Sequence, residues 1–400
     1  MSLSRELNEL LTQVGPQTPG GNLLRHYWMP IGPAAELTAE RPKKRLRVLG
    51  EDLVLFRDGE GRLGLVPEHC PHRKCSLYFG FAEADGLRCA YHGWKFSTAG
   101  ECIEQPFEPP NSNLKKLAQR PPYKVQQLAG ILFAYMGPEP APLLPRWDTT
   151  VRKDGYRSIV VMSLHNHNWL QAQENSHDPV HPFYLHAELM KAHRPDDKFK
   201  AEVAYFSRPL EGFEFEVRRE PTWTGLMKKR VFSDRSVEQE SGNPAIFPNV
   251  LVAAHGKQIV IHWRTPVDDE HTNIFWLEFT PTEDGREIEQ RDDEIPVRYV
   301  SHPKRPDGEY DLTTFETQDQ MAWETQGTIV DRETELLGTS DRGITAFRKL
   351  LRDQIEKVAR GEEPEGLIRD PALNECISFN ISTSQGTLRR RMEAAGLNKR

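Results

Sequence analysis

The sequence predicts an α+β chain of two domains, and three observations carry that prediction. Short β-leaning segments separated by turn residues fill the stretch from Arg45 to about Met136; four prolines crowd residues 137–145; beyond them helical and strand-like stretches are mixed. Four hundred residues also exceed what one hydrophobic core usually serves. The division is placed at 1–145, with its β core at about 25–140, and 146–400.

Taken in order, residues 7–11 form a short amphipathic helix stopped by Gly15 and Pro16, with loop continuing to Gly21. Residues 45–48, 53–57 and 63–66 read as strands of small antiparallel hairpins, broken at Gly50-Glu51 and at 58–61. The proline-rich joint can sustain neither a helix nor a central strand. After it, a helix is expected around 168–175, strands at 203–206, 212–218, 259–264 and 273–280, and helices near 315–326 and 345–360.

Composition removes several classes of function. Lys and Arg total 52 against 59 Asp and Glu, a net −7 with no dominant basic run, which argues against nucleic acid or an anionic membrane surface. The opening MSLSRELNELLTQVG lacks a basic start and an apolar core, and no apolar run reaches about 18 residues, so a cytoplasmic protein is expected. Five cysteines are too few, and odd in number, for a disulfide framework. They read better as ligands or as buried apolar residues, and Cys102 and Cys376 are expected in the core.

Two constellations carry chemistry. In the first, Cys70-Pro-His72 is followed after sixteen residues by Cys89-Ala-Tyr-His92, so two segments each offer one thiolate and one imidazole. A Rieske-type [2Fe–2S] centre needs two thiolates on one iron and two histidines on the other. A structural zinc site uses the same complement, and spacing alone leaves both open. Cys75 is read as packing, because a third thiolate would break the two-and-two division.

In the second, Asp178, His181 and His186 form D-x-x-H-x-x-x-x-H. On a regular helix, histidines five apart diverge by about 140°, so a shared metal requires the helix to bend or end, and Pro179 and Pro182 supply the break. Asp178-Pro179 also fits a helix N-cap followed by proline at the first helical position. Two histidines and one carboxylate would hold a non-haem Fe(II) with open positions. The carboxylate is sought downstream. Asp319 shares a helix face with Phe315 and Ala322 behind a capping box at Thr313 and Glu316, whereas Asp341 precedes a turn-like Arg342-Gly343 and Asp331 adjoins Arg332, where surface roles suffice. Asp319 is the choice among the three, although the helix-wheel argument by itself does not settle it. His177, His165 and His167 are expected to pack nearby, and His26, His69, His255, His262, His271 and His302 have no companion at metal spacing.

With Tyr91-His92-Gly93-Trp94-Lys95-Phe96 following the second Cys-His pair, the first motif resembles the C-x-H-R and C-x-x-H-G-W pattern of Rieske domains. Lys74 and Cys75 stand where that family usually has small residues. Together with residues 20–28, the proline-rich joint, Thr317-Gln-Asp319, Glu324-Thr-Gln-Gly327 and Ser340-Asp-Arg-Gly343, almost the whole chain resembles the phthalate-dioxygenase branch of Rieske non-haem iron ring-hydroxylating oxygenases. The resemblance implies an N-terminal Rieske β-sandwich holding [2Fe–2S] on Cys70, His72, Cys89 and His92. It implies a helix-grip-like catalytic domain with an antiparallel sheet holding Fe(II) on His181, His186 and Asp319. It further implies a homotrimer or dimer of trimers without a β subunit, with Asp178 as the electron-transfer bridge between subunits. Electrons would come from NAD(P)H through a separate flavin and iron–sulfur reductase, in keeping with the lack of a G-x-G-x-x-G loop here.

The same resemblance implies O2 and a small aromatic substrate, an aromatic carboxylate of phthalate or benzoate type undergoing cis-dihydroxylation. Monooxygenation or O-demethylation of an aromatic ether or heterocycle is the alternative, and an electron carrier or ligand-binding protein the alternative of another class. An acidic substrate needs cationic partners, for which Arg208, Lys229, Arg230 and Arg264 are the candidates among the expected strands.

Overall fold

Alternation in the strand Ile131–Tyr135 shows how the two halves are joined. All five of its residues are buried: Ile131, Phe133 and Tyr135 face one core, Leu132 and Ala134 another. Successive side chains of a strand point to opposite faces, so a continuous apolar run has to be covered on both. In the computed structural model, which describes residues 3–109, 111–121, 123–194, 199–233, 243–255, 258–300 and 304–379, this strand lies between Met29–Pro33 and Lys124–Leu128. One face meets Leu11 of the helix Arg5–Thr12, Trp169 and Leu170 of the helix Trp169–Asn175, and Phe347, Leu350 and Leu351 of the helix Arg342–Ala359. The other packs on Ile159, Val161, Ile261, Phe275 and Leu277 of the large sheet.

That sheet has eight strands among the described residues, in the order Leu210–Glu220, Trp223–Phe232, Asn243–Ile246, Val250–His255, Gln258–Pro266, Thr272–Pro281, Gly155–His165 and Val297–Val300. Every pairing is antiparallel except the last. Two smaller sheets, Lys43–Val48, Glu51–Arg57, Leu63–Pro67 and Phe81–Glu83, Gly86–Arg88, Lys95–Phe96, Cys102–Glu104, enclose a separate core of Val54, Phe56, Val66, Leu77, Leu87 and Phe96. No described helix is long and apolar enough to cross a membrane.

The proline joint carries no regular element at 137–146, as expected. Several expectations are corrected. Residues 203–206 belong to a helix, Lys200–Phe206, rather than a strand; a four-residue apolar run fits either period, and packing of Phe206 against His186 decides it. The loop to Gly21 contains a helix, Pro19–Leu24, capped by Thr18 with Pro19 at its first position. Its glycines are needed because a Cβ on Gly21 would stand 2.2 Å from the Gly15 carbonyl oxygen. The helix carrying Asp319, Phe315–Glu324, is capped by Thr314 rather than by a Thr313–Glu316 box. Cys102 is buried, but Cys376 is exposed. Arg332 is not a surface partner of Asp331; it is fully buried. His302 lies outside the described residues.

Candidate metal centres

The first Cys-His pair and the second are held by equivalent turns. Cys70 N–H donates to the Cys75 carbonyl (2.9 Å) and its own carbonyl accepts from Lys74 N–H (2.9 Å); Cys89 N–H donates to the Trp94 carbonyl (2.8 Å) and its carbonyl accepts from Gly93 N–H (3.0 Å). Each turn needs one residue in the left-handed region, Gly93 at φ +72° and Lys74 at φ +61°. A small residue suits that position, and a lysine there costs about 1 kcal/mol.

The turns place the two cysteines in the small core and the two histidines outward, His72 exposed and His92 half-buried, with ring centroids 4.4 Å apart. His72 stacks on Trp94 at 4.6 Å and 7°. Burial pushes the Cys70 thiol up to about 12, so it becomes a thiolate only where a metal cation compensates. Two inner sulfurs and two outer imidazoles on matched loops fit a cluster with chemically different irons. Cys75 packs half-buried against the same core.

The second constellation solves its spacing differently from the expected break. Residues Pro182–Glu188 form a π-helix, with Pro182 rather than Pro179 at its start. Bonding from i to i+5 brings side chains five apart onto one face, so His181 and His186 converge without the helix ending. Their ring centroids lie 5.2 Å apart, and with Asp319 they offer ligand atoms all within 4.8 Å of one another.

Asp319 Oδ1 is 3.3 Å from His186 Nε2 and accepts from Asn175 Nδ2 at 3.2 Å. Burial works against charge on both Asp319 and His186, but their mutual attraction outweighs it, holding the carboxyl below and the imidazole above their ordinary values. Such a trio of two imidazoles and one carboxylate on one face is the donor set of an open non-haem iron site.

Asp178 lies beside the trio. Its Oδ1 accepts from Val180 N–H (2.7 Å), and its Oδ2 accepts from His181 N–H and stands 3.3 Å from His181 Nδ1. Burial raises its pKa, but His181 and the backbone donors prevail and hold it at about 2. His177 instead stacks on Phe347, and His165 and His167 pack against Trp323, so none joins the trio.

Of the four candidate cations, Arg208 and Arg230 come together over shared rings. Arg208 lies 3.7 Å and Arg230 5.6 Å from the Phe232 centroid, and Arg230 is 5.4 Å from Phe206, whose ring is 5.9 Å from His186. Lys229 points to the other face of its strand and pairs with Glu214 at 3.3 Å. Its neighbour Lys228, not anticipated, faces the site and donates to the Asp178 carbonyl at 2.8 Å. Arg264 is buried, which lowers its pKa to about 10, and Asp319 lies within its electrostatic reach. Gln318 and Asn175 were also not anticipated; neutral amides carry no sequence signal of this role.

A family model for the Rieske [2Fe-2S] domain matches residues 27–123, and one described as LigXa C-terminal domain like matches residues 304–398. The chain is 38% identical to the 5,5'-dehydrodivanillate O-demethylase oxygenase subunit of Sphingobium sp. (strain NBRC 103272 / SYK-6), covering 98% of this chain and 91% of that one. It is 30% identical to the phthalate 4,5-dioxygenase oxygenase subunit of Pseudomonas putida, covering 96% and 93%. Among solved structures, the oxygenase in the oxygenase–ferredoxin complex of carbazole 1,9a-dioxygenase has a similar fold, with a TM-score of 0.60 at 18% identity over 94% of this chain and 98% of that one.

Proposed function

Since this chain belongs to the Rieske-type non-haem iron oxygenases, which carry a [2Fe–2S] cluster and a mononuclear iron and draw electrons from a separate reductase, we propose that it oxygenates a small aromatic acid. Cys70, Cys89, His72 and His92 hold the cluster in this reading, and His181, His186 and Asp319 the iron. The iron, when bound, supplies O2 activation at its open positions. Asp178 bridges a cluster histidine of a neighbouring subunit to His181 in a head-to-tail trimer. Residues 1–145 form the cluster domain and 146–400 the catalytic one.

The observation that carries the substrate class is the pair Arg208 and Arg230 set against Tyr205, Phe206 and Phe232, one ring away from His186. Aromatic walls accept a ring, and a guanidinium pair binds a carboxylate in fixed orientation. Removal of a methyl group from an aromatic ether is the favoured reaction, supported by the similarity to an O-demethylase over nearly the full length. Its balance is Ar–O–CH3 + O2 + two electrons + two protons giving Ar–OH, formaldehyde and water. Ring cis-dihydroxylation is the second reading, favoured by the similarity to phthalate dioxygenase.

Turnover of methoxylated and unsubstituted aromatic acids with a surrogate reductase separates the two, formaldehyde marking the first and a cis-diol the second. Arg230→Met should raise KM about 10–100-fold with kcat changed far less, the cost of one charge-assisted hydrogen bond. An unchanged KM for every acid tested contradicts the carboxylate reading.

A further inference from the structure

We propose that Gln318 is a positioning residue that fixes which nitrogen of His186 faces the metal. The inference rests on the reading of His186 as an iron ligand. Gln318 precedes Asp319 on the helix Phe315–Glu324, yet its side chain points to the other side of His186 and has no exposed surface. Its Oε1 lies 3.1 Å from His186 Nδ1, and its Nε2 donates to the Leu312 carbonyl at 2.9 Å.

The second contact decides the first. A carbonyl oxygen only accepts, so Leu312 requires the amide nitrogen on its side and turns the amide oxygen towards His186. That oxygen also only accepts, so Nδ1 must carry the proton and donate. Nε2 is then the nitrogen left to offer a lone pair to a metal, and it is the one 3.3 Å from Asp319 Oδ1 and grouped with His181. One helix therefore supplies both the carboxylate of the trio and the group that orients the imidazole opposite it.

The two histidines are treated unequally. His181 Nδ1 faces the carboxylate of Asp178, whereas His186 Nδ1 faces a neutral amide. A carboxylate partner raises the basicity of a metal-bound imidazole and an amide does so less.

The test is anaerobic Fe(II) titration of the full chain, cluster retained and mononuclear iron removed with a chelator. Gln318→Met removes both the donation to Leu312 and the acceptor for His186, whereas Gln318→Glu keeps an acceptor for His186. Loss of an orienting partner typically costs 10–100-fold in metal affinity, so Gln318→Met should weaken Fe(II) binding by about that factor. Gln318→Glu should bind within about threefold of the parent chain or tighter. Should Gln318→Met not accumulate as folded chain, Gln318→Asn, which withdraws the amide by one methylene, should give the same weakening. Equal affinity in Met, or Asn, and parent overturns the proposal, as does equal weakening in Met and Glu. His186→Ala is titrated alongside: if it binds as the parent does, the ligand assignment has failed rather than the role of Gln318.

Discussion

At Asp178 a local structural role and the proposed chemical one fall on the same carboxylate. Its carboxylate caps the turn at Val180 and His181 while lying beside the His181 ring, and these partners, holding its pKa down at about 2, keep it anionic at neutral pH. Replacing it with Asn keeps an oxygen for the cap but removes the charge. Asp178→Asn should retain cluster absorbance and iron content while turnover falls at least about tenfold; unchanged turnover would remove Asp178 from the electron path. At this scale the sequence was most legible where residue type is rare in its setting, two Cys-His pairs and an acid on an apolar helix face. It was silent at Gln318 and Asn175, since buried amides have no pattern of their own. It misled at Lys229, because the side of the strand on which a lysine falls depends on register, and Lys228 took the inward position.

Among the elements, the helix Trp169–Asn175 is anchored by charge rather than by apolar contact alone. Glu174 is almost fully buried between Arg332, 2.8 Å from its Oε2, and Arg348, 2.6 Å from its Oε1, and Arg348 also reaches Glu335. This ties the helix that leads into Asp178 to the helix Arg342–Ala359. Glu174→Leu leaves two buried guanidinium groups short of a partner, and about 3–5 kcal/mol of unfolding free energy should be lost in urea titration. Burial opposes the Glu174 charge but the two arginines outweigh it, so its folded pKa is depressed. The stability it contributes is therefore complete above the unfolded value of about 4.3 and is lost as pH falls through the lower folded value. The urea midpoint of the parent chain should drop more steeply than that of Glu174→Gln between neutral pH and pH 3; parallel curves would contradict this. Sequence periodicity located this helix but not its anchor, because Arg332 sits in a charged stretch that reads as surface. The π-helix was hidden for a related reason: a regular 3.6 period was assumed, and only the convergence of His181 and His186 reveals the wider turn.

Over the whole molecule, the proline joint does not separate two cores. Leu11, Leu23, Leu24 and Leu132 pack with Phe347, Leu350 and Leu351, so the ends of the chain complete the first half. A fragment of residues 1–145 should accordingly fail to give a cooperative thermal transition by circular dichroism, although the full chain does; a cooperative melt of the fragment would show that the cluster sheets suffice. Turn spacing made the hairpin strands within residues 43–67 readable, whereas the shared core was not, since an apolar strand covered on both faces carries no record of its partners. The measurement that bears most directly on the account is iron and acid-labile sulfide per chain in anaerobically purified protein, before and after Asp319→Ala. One [2Fe–2S] centre and one mononuclear iron predict about three irons and about two sulfides, falling to about two irons with sulfide unchanged in the variant. The same iron content in both proteins would contradict the assignment of His181, His186 and Asp319, and zinc without sulfide would contradict the cluster.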